Sequence, residues 1–200
     1  MDLKNIKLIV FDFDGVIEDN YELHYQLSKI KTIGLTREEH RKLFEGNIHL
    51  ERAKLESRNT NYDIISNFNY IKEFQQIEPL KIDILTKLSK KYKLGIISSS
   101  PEKHIIKYLE NNNIASLFDF VYGLETHKLK IDKFNIVIKK YKYNATEIIF
   151  VTDTLGDILE AEKLNIKSIA VDFGYHERTR LEKGNPIYIV SSYNELYNLL

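Results

Sequence analysis

Apolar residues cluster in short runs along the chain: IKLIVF (6–11), LGIISS (94–99), FDFVYG (118–123), IIFVT (148–152) and KSIAVDF (167–173). Each has strand length. Several are apolar without alternation, as strands buried on both faces are. IYIV (187–190) is a sixth run, placed at an edge. Between the runs the period changes to that of a helix. Ser100 and Pro101 read as N-cap and first helical residue, with Ile105, Ile106 and Leu109 as the apolar stripe. Phe134, Val137, Ile138 and Tyr141 follow the i, i+3, i+4, i+7 rule. Asp157 to Leu164 makes a further helix, and Asn165 is suited to the left-handed cap after it. Strand–helix–strand alternation predicts an α/β fold: a mostly parallel sheet of five strands plus an edge strand, with helices on both faces.

One gap breaks the rhythm. Between the first and second runs lie about eighty residues without a strand pattern. Leu23, Leu27 and Ile30 form one helical stripe, Thr36 and Glu39 form a capping box, and Ile64, Phe68, Ile71 and Phe74 mark a later helix. The expected division is a core of residues 1–17 and 77–200, with a small all-helical domain, 18–76, inserted after the first strand.

Composition narrows the partners. The 200 residues suit one domain carrying a smaller insert, and 43% hydrophobic content is enough for a proper core. Lys and Arg number 29, as do Asp and Glu, so no global charge favours nucleic acid. The chain has no cysteine, which excludes disulfides, thiolate catalysis and zinc–sulfur sites. The N-terminus lacks the apolar stretch of a signal peptide, and no stretch reaches the roughly 18 apolar residues of a membrane span. The expectation is a soluble, cytoplasmic protein, monomeric or homodimeric, with no membrane partner.

In open parallel sheets ligands bind beyond the carboxyl ends of the strands. After the first run come Asp12, Phe13, Asp14 and Gly15; alternation puts both Asp side chains on one side. Gly15 lets the backbone turn and lets an anion approach its N–H. A plain acidic turn would look the same. After the second run, Ser98, Ser99 and Ser100 precede a helix start, which suits either a phosphate oxygen or an ordinary cap. After the third, Lys128 and Lys130 are candidate cations, or solvated loop lysines. After the fourth, Asp153 and Asp157 flank a turn into a helix; carboxylate oxygens suit a hard cation such as Mg²⁺, and the same residues suit a helix N-terminus.

Acid pair, hydroxyl, lysine and acid pair recur in order, each after a strand. In DFDG (12–15), IISSS (96–100), KLKID (128–132) and TDTLGD (152–157) the chain resembles the haloacid dehalogenase-like (HAD) hydrolase superfamily. It is most similar to the phosphoglycolate-phosphatase and β-phosphoglucomutase branch, whose first-type cap sits where the helical insert lies. Thr152 stands where that family often has Gly, and Leu129 where it often has Pro.

The resemblance implies a Rossmann-like core and a Mg²⁺-dependent phosphatase acting on a small phosphorylated metabolite. Asp12 would be the nucleophile, forming a phosphoaspartate. Asp14 would be the general acid and base, with its backbone carbonyl on the metal. Ser98 and Lys128 would hold the phosphoryl oxygens, helped by the Gly15 and Ser99 amides. Asp12, Asp14 and Asp153 would hold Mg²⁺, with Asp157 acting through water or a hydrogen bond. Asp14 argues against true dehalogenases, which generally lack it. His49 and Arg52, in EGNIHLER (45–52), are the cap candidates for substrate specificity. His24, His104, His127 and His176 show no spacing that requires a role. The alternatives are a β-phosphoglucomutase-like phosphomutase, and a phospho-accepting or regulatory domain without turnover.

Overall fold

In the computed structural model the core is one sheet of six strands: β1 (Leu8–Phe11), β2 (Lys93–Ile97), β3 (Phe120–Tyr122), β4 (Ile148–Thr152), β5 (Lys167–Val171) and β6 (Tyr188–Val190). The structure describes residues 3–32, 34–55 and 76–200. Strand order is β3-β2-β1-β4-β5-β6, and every neighbouring pair is parallel. The sixth run is therefore the edge strand its position suggested. The order reverses between β1 and β4, the crevice where such sheets bind ligands.

The strands are apolar because both faces are covered. Ile9 and Phe11 of β1 belong to a cluster with Ile84, Leu85 and Leu88 of α4 (Pro79–Ser89) and with Ile105, Tyr108 and Leu109 of α5 (Glu102–Asn111). Tyr193 and Leu196 of α9 (Tyr193–Leu199) complete that side. Leu8 and Val10, the alternate residues of the same strand, join Phe134 and Val137 of α6 (Lys130–Tyr141) and Ala161 of α7 (Leu155–Glu162). Short helix α8 (Arg178–Leu181) packs Leu181 against Ile158 of α7 and Ala170 of β5.

Between β1 and α4 the described residues carry helices α1 (Tyr21–Lys31), α2 (Arg37–Lys42) and α3 (Ile48–Leu55). The Thr36–Glu39 capping box is present at the start of α2. On α1 the apolar stripe is not the buried face: His24 and Tyr25 are buried, and Ile30 is 60% exposed. The helix seats itself through its aromatic and imidazole rings: His24 and Tyr25 meet His40, Phe44 and Tyr175 in tilted and edge-on contacts. The helix expected around Ile64, Phe68, Ile71 and Phe74 lies outside the described residues.

Two boundaries shift. Helix α5 starts at Glu102, with Pro101 extended before it, so Ser100 is released from capping. Helix α7 begins at Leu155, two residues earlier than its pattern suggested. Asn165 has the expected left-handed backbone, with φ 58°. Among the described residues no helix is long and apolar enough to cross a membrane.

Candidate active site

Parallel register brings the ends of the strands to one rim. Phe11 lies level with Ile96 of β2 and Val151 of β4, so Asp12, Ser98 and Asp153 leave the sheet close together. Asp12 continues the ladder by donating its amide to the Val151 carbonyl at 2.8 Å. The chain then turns sharply. Gly15 has φ +75°, and a Cβ there would lie 1.9 Å from Asp153 Oδ2. Only a residue without a side chain permits both the turn and the approach of the carboxylate. The acids separated by 141 positions are thus in one cluster.

Each acid has its own environment. Asp12 is buried; its Oδ1 accepts from the Phe13 amide at 2.7 Å, and its Oδ2 meets Lys130 Nζ at 2.7 Å. Asp14 is held at both oxygens. Asn20 Nδ2 donates to Oδ1 at 2.6 Å, and Ser100 Oγ donates to Oδ2 at 2.6 Å, with Ser98 Oγ at 3.4 Å. Asp157 Oδ2 accepts from Lys130 Nζ at 2.6 Å and from Thr152 Oγ1 at 2.8 Å. Asp153 Oδ2 accepts the Tyr175 amide at 2.7 Å, while its Oδ1 is buried without a hydrogen-bond partner.

Burial sets the electrostatics. It raises the Asp12 carboxyl well above the ordinary value; Lys130 opposes the rise, and Asp157 and Asp153 add to it. Burial pushes Asp153 up to about 8, against the Tyr175 amide and with Asp157 adding to the rise. For Asp157 burial is outweighed by Lys130 and the hydrogen bonds around it, so it stays below the ordinary value. Lys130 contacts Asp12 and Asp157 but not Asp153, which leaves the three carboxyl groups with a deficit of positive charge.

That deficit is the test for a metal. The residues fit a hard divalent cation: a buried orphan oxygen on Asp153, a raised Asp12 beside it, and oxygen donors throughout. As arranged, no three His, Asp or Glu side chains among the described residues are disposed to hold an ion, and Lys130 lies between Asp12 and Asp157.

Several of the expected residues lie differently from the sequence reading. Lys130, not Lys128, reaches Asp12. Helix α6 starts at Lys130, so its side chain points back over the rim, whereas Lys128 lies on the exposed approach loop. Gly15 does not offer its amide to an anion; that amide donates to the Glu18 carbonyl at 2.7 Å. Ser98 is fully buried with its Oγ accepting from the Ser100 amide at 3.0 Å, and Ser99 is half-buried beside it. Thr152, the departure from the family pattern, supplies a hydroxyl to Asp157.

The inserted helices reach the same rim. Arg52 Nη2 donates to His24 Nε2 at 2.6 Å, which leaves the His24 Nδ1 proton for His40 Nε2 at 2.9 Å. His49 Nε2 is buried without a hydrogen-bond partner. Burial, then Arg52 and the lysines at 133, 128 and 130, drive His49 down to about 4, so it faces the basic side of the site as a neutral ring. The loop after α2 docks on α7: the Gly156 amide donates to the Phe44 carbonyl at 2.9 Å, and Asn47 Nδ2 donates to Glu160 at 2.8 Å. His176 accepts the Leu155 amide at Nδ1 and donates from Nε2 to the Arg41 carbonyl, pinning insert to core.

Residues missed in the sequence are Asn20 and Tyr175, and Ser100 was named there only beside Ser98 and Ser99. Ser100 resembled a helix cap. Asn20 is six residues beyond Asp14, with no periodic signal. Tyr175 lies four residues beyond the fifth strand, where a tyrosine looks like core. Its amide holds Asp153, and its hydroxyl donates to Asn20 Oδ1 at 2.9 Å, which in turn orients Asp14.

Comparisons with known proteins give the family and the fold. A phosphoglycolate phosphatase of Vibrio parahaemolyticus serotype O3:K6 is 24% identical, covering all of this chain and 98% of that one. A phosphoglycolate phosphatase of Vibrio cholerae serotype O1 is 22% identical, covering 94% of this chain and 93% of that one. The solved structure of a haloacid dehalogenase-like hydrolase from Streptococcus pneumoniae shares the fold, with a TM-score of 0.75 at 22% identity over 98% of each chain. The family model described as haloacid dehalogenase-like hydrolase matches residues 9–171. The chain belongs to the haloacid dehalogenase-like hydrolase family.

Proposed function

We propose that the chain is a Mg²⁺-dependent phosphatase that hydrolyses a small phosphate monoester through a phosphoaspartate on Asp12. The observation that carries this reading is the pair of acids after β1. Asp12 is buried against a lysine, and Asp14 is clamped by Asn20 and Ser100 two residues on. Two carboxyl groups in different environments can divide nucleophile from acid. The names of the Vibrio relatives support phosphate ester chemistry.

An Asp12 oxygen attacks phosphorus, and the bond to the ester oxygen breaks as Asp14 donates a proton to it. Asp14 then takes a proton from water, whose oxygen attacks the acyl phosphate; phosphate leaves and the Asp12 carboxylate returns. Lys130, in the place first given to Lys128, and Ser98 hold the phosphoryl oxygens. Asp12, the Asp14 carbonyl and Asp153 would hold Mg²⁺, with Asp157 orienting the site through Lys130 and Thr152. The ion would offset the repulsion between carboxylate and phosphate, about 4 kcal/mol for one pair of unit charges at 4 Å and an effective dielectric near 20. Residues 18–76 act as the cap, in which His49 and Arg52 meet the leaving group.

The test is phosphate release from an aryl phosphate and from a panel of phosphorylated sugars, nucleotides and phosphoglycolate. We expect EDTA to abolish turnover, Mg²⁺ to restore it, and Asp12→Asn to lower kcat by at least about a thousandfold with the fold retained. Turnover by Asp12→Asn at the wild-type rate would remove the nucleophile assignment, and indifference to EDTA would remove the metal.

A further inference from the structure

The phosphoryl-transfer reading uses Lys130 and leaves a second cation unexplained. Lys133, one turn later on α6, has no exposed surface at all, a rare state for a lysine. Its ammonium donates to the backbone carbonyl of Ser98, at the end of β2. Burial and Lys130 press it down to about 8, while Asp12, Asp157 and Glu160 press the other way. An ordinary core position at this point of α6 would hold an apolar residue, as Phe134 and Val137 do at the buried positions that follow it.

The contact acts on a residue with a task. Ser98 is held by three of its groups: its amide donates to the Tyr122 carbonyl at 2.9 Å, its carbonyl accepts from Lys133, and its Oγ accepts from the Ser100 amide at 3.0 Å. With the acceptor side of the hydroxyl used by Ser100, its proton is directed to the rim, where Asp14 Oδ2 lies at 3.4 Å. We infer that Lys133 is a positioning residue, which fixes Ser98 from behind so that the hydroxyl proton faces the phosphoryl oxygens. This rests on the phosphatase reading, and it links the helix that carries Lys130 to the strand end that carries Ser98. A donor that fixes a phosphate-binding group matters because misplacement by about 1 Å can cost about a hundredfold in rate.

The experiment is a double-mutant cycle read by calorimetric titration of inorganic phosphate with Mg²⁺ present, using wild type, Ser98→Ala, Lys133→Met and the double variant. Met matches the length of lysine and removes the donor. We expect each single change to weaken phosphate binding about tenfold, the size of one lost hydrogen bond to a charged group. The double variant should be no weaker than the singles within about twofold, because both act through one hydroxyl. Lys133→Met binding phosphate as wild type does, or losses that multiply in the double variant, would overturn the inference whatever happens to thermal stability. Should Lys133→Met not fold, Lys133→Ala runs the same cycle with the same two outcomes. Wild-type protein that binds no phosphate would instead sink the phosphatase reading itself, and this inference with it.

Discussion

Lys128 and Lys130 are two residues apart and have different fates. Lys130 has almost no exposed side chain and contacts Asp12 and Asp157, both inside 3 Å. Lys128 is exposed. Lys130→Met should therefore lower kcat/KM for an aryl phosphate by about a hundredfold or more, because it strips a buried carboxylate pair of its cation. Lys128→Ala should change it by no more than about twofold. Steady-state kinetics on both variants decides between them, and the reverse order of losses would return the role to Lys128. The sequence showed both lysines but not which one starts the helix, since boundaries are the weakest part of any periodicity argument. The same weakness hid Ser100, which a one-residue shift of α5 turned from cap to clamp. Acids 12, 14, 153 and 157 were legible because a charged residue after an unbroken apolar strand stands out; Tyr175 was not, because a tyrosine there looks like core.

At the scale of elements, α1 and α2 meet through His24 and His40. His40 is fully buried, and burial, then Arg52, Arg41 and Arg37, depress it from 6.5 to about 3. A histidine depressed in the folded state contributes stability that is present above its unfolded value and is lost as pH falls from about 6.5 towards 3. By pH 5 the loss reaches about 2 kcal/mol at 1.36 kcal/mol per unit. Thermal melts at pH 7 and pH 5 should show a larger drop for the wild type than for His40→Gln, and equal drops would rule the ring out as the source. Hydrophobic spacing could not foresee this packing. It assigned the inner face of α1 to Leu23, Leu27 and Ile30, while rings too polar to count as apolar occupy it. The Thr36–Glu39 box was legible because capping is local chemistry and needs no tertiary partner.

Across the whole molecule the insert and the core meet on α7, the helix that carries Asp157. Gly156 is the contact point: a Cβ there would lie 2.4 Å from the Gly46 carbonyl oxygen, a backbone atom. Gly156→Ala should push the docked loop away while leaving the sheet intact. We expect KM for the preferred phosphorylated metabolite to rise about tenfold, with a smaller change for a generic aryl ester that needs little from His49 and Arg52. Equal losses on both substrates would show damage to α7 itself. The parallel sheet was readable from strand spacing alone. How the two parts touch was not, because that depends on backbone groups, such as the Phe44 carbonyl on the Gly156 amide, that no side-chain pattern announces.

The position of β1 in the middle of the sheet has a consequence for biogenesis. Its neighbours β2 and β4 begin 85 and 140 residues downstream of Leu8. A ribosome that has delivered β1 must reach Ile97 before one flank of that strand can pair, and Thr152 before both can. Pairings so distant in the chain are slow to form, and an unpaired apolar strand invites association with other chains meanwhile. The newborn polypeptide therefore carries an unpaired apolar strand through much of its synthesis, and its need for chaperones should fall once β4 has left the exit tunnel.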